Sequence, residues 1–269
     1  GHDAALPVKG AQLPLLQVGM QLDLVDRRVL PQLGVHALQV RDREVTHPDR
    51  AHPAGCAQGE QRGTFLLLHG EPSWGALYEH WIPELTALGY RCVAPDLVGF
   101  GRSDKVGVDE WYRYERHVET IRSCIEQLDL RDVHVVVQDW AGPIGLRQLV
   151  DAPERFTGAL VFNTWLHHDG YVYGDGVRLW RELAVDATKL GGDMPTGRIV
   201  AGTMRRPGHD VEAMQRTFDA PFTTFESKAG ARAFPTMLPF ADPERAGAAQ
   251  QQRCWDVLTS APPCPVHVV

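Results

Sequence analysis

The stretch VVVQDWAGPIG, residues 135–145, indicates the fold most clearly. An apolar run typical of a buried strand leads directly into Asp139, and small residues that can open a helix follow it. This is the pattern of a nucleophile elbow, a sharp strand-to-helix turn that holds one side chain clear of a sheet. Ser is the usual residue at the turn. Here the position is occupied by Asp139, with Val137 two residues before it and Ala141 two residues after it.

Further apolar runs alternate with helix-like segments on both sides of this turn. Strands are predicted at residues 35–42, 64–68, 91–95, 133–137, 159–162 and 265–269, and helices at 78–88, 114–128 and 142–150. Strands that are apolar nearly throughout and alternate with helices form a parallel sheet covered by helices on both faces. The sequence therefore predicts an α/β fold.

The alternation stops at about residue 164 and returns only near the last residues. Two segments in between, 180–190 and 211–218, have helical spacing, which indicates a helical insertion. The predicted organisation is an N-terminal arm at 1–34, the first part of an α/β core at 35–163, a helical cap at 164–237 and a return to the core at 238–269.

Composition excludes several classes of partner. The 269 residues include 27 Lys and Arg against 34 Asp and Glu, so the net charge of −7 disfavours nucleic acid or an anionic membrane as a partner. No apolar run approaches the ~18–20 residues that a membrane span needs.

The first residues do not resemble a secretory signal, and the five Cys are scattered without a CxxC pair. We therefore expect a reduced, cytoplasmic protein without zinc.

An Asp at the elbow suits one kind of chemistry. The N-terminus of the following helix is expected to stabilise the Asp139 carboxylate and lower its proton affinity. In acyl transfer this carboxylate would form an anhydride. On a saturated carbon that bears a leaving group it would form an ordinary ester, which water can open. The alternative is that Asp139 only caps the helix that follows.

Two other features could serve the same site. HGEPSW, residues 69–74, follows a predicted strand, and a tight turn there could aim the N–H of Glu71 at the anion on Asp139. With the N–H of Trp140 it would form an oxyanion hole, although a plain strand-to-helix turn is the alternative. Indole N–H groups only donate, so Trp140 and Trp180 together could hold a halide ion. Packing is the interpretation adopted for the tryptophans at 74, 81, 111 and 255.

These motifs resemble the haloalkane dehalogenases of the α/β-hydrolase superfamily. The matching stretches are HGEPSW (69–74), APDLVGFGRSDK (94–105), VVVQDWAGPIG (135–145), FNTWL (162–166), LWRELA (179–184) and APFTTFESKAGARAFPTMLP (220–239), and the likeness runs from about residue 35 to the last residue. The resemblance implies an α/β-hydrolase fold with a helical cap and hydrolysis of small halogenated aliphatic compounds to an alcohol and halide, without metal or cofactor. It also implies the nucleophile Asp139, oxyanion-hole N–H groups of Glu71 and Trp140, and halide binding by Trp140 and Trp180. Trp165 is a pocket-lining candidate and the alternative second donor.

The sequence also departs from this family. In one branch the catalytic acid follows the strand after the elbow, where Asn163 stands and cannot ionise. In the other branch, which LWRELA resembles more, the acid follows the next strand, here residues 265–269, and a His base comes later still. We therefore expect that the chain lacks the last strands, the closing helices, the acid and the base. Such a chain would form the ester on Asp139 once and stop there.

Other functions remain open at this point. An epoxide hydrolase would share the Asp nucleophile but needs tyrosines in the cap to protonate the epoxide oxygen, for which Tyr171 and Tyr173 are candidates. A non-catalytic binding protein on the same scaffold is a further alternative. A serine hydrolase has little support, because no Ser occupies the elbow. The sequence does not indicate the oligomeric state or the preferred substrate chain length.

Overall fold

The computed structural model describes residues 36–40, 62–186, 188–190, 193–204 and 208–269. The predicted N-terminal arm at 1–34 lies outside these residues. Among the helices that they form, none combines the length and hydrophobicity that crossing a bilayer requires.

A six-stranded sheet forms the centre of the described chain. Its strands are β1 (His36–Val40), β2 (Thr64–Leu68), β3 (Arg91–Asp96), β4 (Val133–Asp139), β5 (Phe156–Thr164) and β6 (Val266–Val268). They lie in the order β1-β3-β2-β4-β5-β6, with β1 antiparallel to β3 and every other pair parallel. The predicted, mostly parallel sheet is confirmed.

Helices cover both faces of the sheet. Successive side chains of a strand point to opposite faces, and both sets are apolar here, so both faces must be buried. Leu67 and Val136 pack with Ile82 of α1 (Trp81–Ala87) on one face. Leu66 and Leu68 belong to the larger cluster on the other face. That cluster includes residues of α2 (Tyr114–Gln127), α3 (Ala141–Asp151) and α8 (Ala248–Ser260). A sheet buried on both sides explains why its strands are apolar throughout.

The regular elements described between β5 and α8 are all helical. They are α4 (Asp175–Val185), α5 (Thr196–Thr203), α6 (Val211–Asp219) and α7 (Ala229–Thr236), with a short 3-10 helix at Glu226–Lys228. The predicted bounds 180–190 for the first helix are wrong. α4 begins earlier, with an acidic residue in its first turn, and it ends at Val185, before Asp186, which has an extended backbone. The boundary of the cap at 164–237 stays a prediction.

The strand order places a crevice between β2 and β4. From β2 the chain goes to β3 on one side and then returns to β4 on the other. In open α/β sheets, ligands bind outside the carboxyl ends of strands at such a point of reversal. Leu68 pairs with Val137, so the residues that follow β2 and β4 face each other across this crevice.

Candidate active site

The turn at the end of β4 is a strained elbow. Asp139 has φ of 54°, in the left-handed region that costs a non-glycine residue about 1–2 kcal/mol. The Thr164 hydroxyl of β5 donates a hydrogen bond to the Asp139 carbonyl oxygen. The Thr164 side chain also fills the place where a Cβ on Gly142 would lie. Contacts from the neighbouring strand therefore hold the elbow in its strained conformation.

Glycine lets α3 lie close to the sheet beneath this elbow. A Cβ on Gly145 would come within 2.5 Å of Val137 Cγ1 and 2.9 Å of Leu68 Cδ1. Such distances are too short for carbon atoms, so any larger residue would push the helix away from β2 and β4. α3 therefore packs directly on β2 and β4 beneath the elbow.

The turn after β2 supplies an amide to the same carboxylate. The N–H of Glu71 donates to Asp139 Oδ1 over 2.8 Å, and the backbone N–H of Trp140 also hydrogen-bonds the carboxylate. Gly70 permits this approach, because a Cβ there would lie 2.8 Å from Asp139 Cγ. The structure thus brings together the three residues that the sequence assigned to the nucleophile and the oxyanion hole.

His69 supports this turn as a neutral ring. The N–H of Leu97 donates to His69 Nε2 over 2.9 Å, so the proton lies on Nδ1, which donates to the Gly70 carbonyl over 3.0 Å. Burial lowers the pKa of His69, which favours this neutral form. Both ring nitrogens are therefore used in joining the turn after β2 to the turn after β3, on one side of the crevice.

The two carboxyl groups of the site have different proton affinities. Burial raises the pKa of Asp139 to about 6, although the N–H groups of Trp140 and Glu71 act in the opposite direction. The expected lowering at the helix N-terminus is present, but burial outweighs it. Burial and the charge of Asp139 raise the pKa of Glu71 well above its usual range. At neutral pH Asp139 is therefore mostly ionised, whereas burial favours the protonated form of Glu71. Neighbouring carboxyl groups in such different environments are typical of catalytic pairs.

Comparisons with known proteins agree with this geometry. Residues 63–186 match the model of the alpha/beta hydrolase fold family. The chain is 40% identical over 226 residues to a haloalkane dehalogenase of Mycolicibacterium paratuberculosis, covering 83% of this chain and 71% of that protein. The chain belongs to the haloalkane dehalogenase family.

Other members of the family give a consistent result. A haloalkane dehalogenase of Psychrobacter cryohalolentis is 39% identical over 194 residues, which cover 72% of this chain. The chain spans 62% of that relative's length, less than two thirds. Among solved structures, the tetrameric haloalkane dehalogenase DpaA of Paraglaciecola agarilytica NO2 superposes with a TM-score of 0.73 at 28% identity, covering 92% of this chain and 75% of that one.

The predicted halide-binding tryptophans of this family member lie beside the elbow. Trp140 is 3% exposed, and the ring of Trp165 meets it edge-on with centroids 5.2 Å apart. The Trp180 side chain, on α4, lies close enough to the Glu71 carboxyl to offset part of the rise in its pKa. Trp180 therefore reaches the site through Glu71. No distance shows Trp140 and Trp180 sharing an ion, so their halide role stays a prediction.

The structure adds one residue that the sequence reasoning did not single out. Phe234 of α7 is fully buried and packs edge-on against Trp140, with ring centroids 5.3 Å apart. The resemblance to the family over residues 220–239 includes Phe234, but it did not give this side chain a role.

Three other residues from the sequence analysis lie outside the contacts of the Asp139 carboxylate. Asn163 is exposed at the end of β5, with φ of 46°. Tyr171 and Tyr173 pack on each other, and the Tyr173 hydroxyl lies 3.1 Å from His167 Nδ1. In the described part of the chain, no group of three His, Cys, Asp or Glu side chains is placed to hold a metal.

Proposed function

We propose that this chain carries out the alkyl-transfer step of hydrolytic haloalkane dehalogenation. An Asp139 carboxylate oxygen attacks the carbon that bears the halogen, from the side opposite the halogen. The new O–C bond forms as the carbon–halogen bond breaks, and the halide leaves with the bonding electron pair. The observation that carries the proposal is a carboxylate presented on a strained elbow and oriented by the N–H of Glu71 at 2.8 Å.

The electrostatics of the site support this step. Attack on carbon needs an ionised Asp139, and a pKa of about 6 leaves it mostly ionised at neutral pH. A group with that pKa is also less strongly solvated, and therefore more nucleophilic, than an exposed carboxylate. Burial raises the pKa of Glu71 well above its usual range, and the protonated form that this favours would not repel the departing halide.

We assign the halide to the indole N–H groups of Trp140 and Trp180, with Trp165 lining the same side of the site. Indoles donate hydrogen bonds and carry no proton that a halide could remove at neutral pH. The Trp180 side chain lies beside the Glu71 carboxyl in this structure. Trp180 is therefore close to the oxyanion-hole turn as well as to the proposed halide position.

Opening of the ester is a separate step. Water must attack the ester carbonyl, and the N–H groups of Glu71 and Trp140 are suited to stabilise the oxyanion that forms. A histidine that removes a proton from that water is the base expected from the family. In the described residues, the hydrogen bonds to the Asp139 carboxylate come from backbone amides. We therefore expect this chain alone to form the ester and to hydrolyse it very slowly.

Halide release measured over time tests this function. The chain is mixed with excess 1-bromoalkane, and free bromide is followed for the wild type and for Asp139→Asn. We expect a burst of about one bromide per wild-type chain and none for the variant. Diol formation from an epoxide without bromide release would favour the epoxide hydrolase instead. Ligand binding without release of bromide would indicate a binding protein.

A further inference from the structure

A carbonyl at the end of α6 lacks its usual partner within the helix. The Thr217 carbonyl would accept a hydrogen bond from the N–H of residue 221, but that residue is Pro221 and has no N–H. The indole Nε1–H of Trp74 donates to this oxygen instead, over 3.2 Å. Trp74 thus satisfies a carbonyl that the end of α6 and the proline after it leave open.

Trp74 also belongs to the turn that carries the oxyanion-hole amide of Glu71. Within this turn, the backbone N–H and the hydroxyl of Ser73 donate to the Gly70 carbonyl over 3.0 and 2.9 Å. Directly after it, the N–H of Gly75 donates to Asp96 Oδ1 over 2.8 Å. Residues 70–75 are therefore one hydrogen-bonded unit, and a displacement of the indole moves the whole unit.

A buried ion pair holds the inner side of this unit. Asp96 is fully buried and accepts from Arg102 Nε over 2.8 Å. The Arg102 guanidinium lies 5.8 Å from the centre of the Trp74 ring, within the range of a cation–π contact. The indole is thus fixed on the core side by Arg102 and on the other side by α6.

We propose that Trp74 is a positioning residue that couples α6 to the oxyanion-hole turn, so that the Glu71 N–H is aligned on Asp139 when α6 is seated on the core. The proposal rests on the function proposed above for Asp139. It gives Trp74 a task beyond the packing expected from the sequence. Trp74 itself touches neither the Asp139 carboxylate nor the halide-binding groups in the contacts described.

Amide hydrogen exchange tests the coupling without requiring any chemistry. Trp74→Phe keeps an aromatic ring and removes the donor, and Trp81→Phe on α1 is the matched control, since Trp81 is 40% exposed. We expect the exchange rate in Trp74→Phe to rise about fivefold in both segments 70–75 and 217–222. Losing one ordinary hydrogen bond changes the equilibrium for local opening by about this factor. Unchanged exchange in either segment would overturn the coupling.

The rate of Asp139 alkylation tests the positioning. In Trp74→Phe we expect adduct formation to slow about fivefold and its pH midpoint to rise, because the Glu71 N–H favours the ionised carboxylate. A wild-type rate and midpoint together with faster exchange would overturn the positioning role. If the wild-type chain forms no adduct, the proposed function is wrong. The hydrogen-exchange result still shows whether Trp74 couples α6 to the turn.

A second variant leaves Trp74 in place and serves if Trp74→Phe does not fold. Pro221→Ala gives α6 an N–H that can compete for the Thr217 carbonyl. We expect the same changes in exchange and alkylation, reduced to about twofold because the two donors share one acceptor. A Pro221→Ala protein with wild-type exchange in residues 70–75 would contradict the proposal.

Discussion

At the scale of single residues, the account depends on which carboxyl group holds a proton. Burial raises the pKa of Asp139 to about 6, and burial together with the charge of Asp139 raises the pKa of Glu71 well above its usual range. The two backbone donors on Asp139 limit the rise of its pKa, because they favour its charged form. The proposed function therefore assigns the attack near neutral pH to Asp139, which is mostly ionised there.

The alkylation rate should follow the ionisation of Asp139. Below a pH of about 6 the carboxyl is protonated and cannot attack, so the rate should fall about tenfold for each pH unit. Above about 7 it should be constant. Adduct formation measured from pH 4.5 to 8.5, with circular dichroism confirming the fold at each pH, checks this. A rate that does not change below pH 6 would contradict the assignment.

His117 should make the fold sensitive to acid. Its ring is fully buried among aromatic side chains, and neither of its nitrogens has a hydrogen-bond partner among the described residues. Burial lowers its pKa to about 3. The folded state disfavours the charged form of His117, whereas the unfolded state can bind the proton freely. The free energy of unfolding is therefore unaffected by His117 above about pH 6.5 and falls as the pH is lowered from 6.5 towards 3.

The variant His117→Leu isolates this effect. Relative to the variant, the wild type should lose up to about 1.4 kcal/mol of unfolding free energy for each pH unit below 6.5. Urea denaturation of both proteins at several pH values measures the difference. Parallel curves for the two proteins would show that His117 does not carry the effect.

Sequence reasoning predicted the site residues that a local pattern specifies. Asp139, Glu71 and Trp140 follow strands directly, so strand ends and turns determine their placement. The pKa of Asp139 could not be predicted in the same way, because it depends on burial by residues distant in sequence. The partner of Trp180 was missed for the same reason, since α4 and the turn at Glu71 meet only in the folded chain.

At the scale of elements, the close packing of α3 on the sheet depends on Gly145. Gly145→Ala should reduce the unfolding free energy by about 1–3 kcal/mol, the usual cost of overpacking a core, because its Cβ would overlap Val137 and Leu68. Gly202→Ala is the control, since Gly202 is also helical and a Cβ there meets nothing within 4 Å. Denaturant unfolding compares the two. Equal stabilities would contradict the packing argument.

Strands and core helices were predicted well because their patterns are strong. β2 was predicted without error, and the predicted bounds of α2 differ by one residue. The helices between β5 and β6 were harder. α5 contains two glycines and α7 contains Pro235, which weaken the helical signal although both helices form in the fold. In these segments tertiary packing decides the structure.

At the scale of the whole molecule, one side chain joins segments that are far apart in sequence. Phe234 packs against Phe100, His117 and Trp140, with centroid distances of 5.2, 4.7 and 5.3 Å. It therefore connects α7 to α2, to the loop after β3 and to the elbow. A truncation here should affect both the stability of the fold and the position of Trp140.

Phe234→Ala should reduce the unfolding free energy by about 3–5 kcal/mol, as expected for a buried aromatic residue. The control Phe225→Ala should cost less than about 1 kcal/mol, because Phe225 is 50% exposed. Urea denaturation followed by tryptophan fluorescence measures the stability of both variants. A loss in Phe234→Ala no larger than in the control would contradict the role of Phe234 as a junction.

The most direct test of the central claim is to locate the alkyl group after reaction with a 1-bromoalkane. The protein is digested, and the peptide containing residues 135–145 is sequenced by tandem mass spectrometry. We predict one alkyl group, on Asp139, and no modification of this peptide in Asp139→Asn. Bromide release with an unmodified Asp139, or with the same rate in Asp139→Asn, would contradict the account.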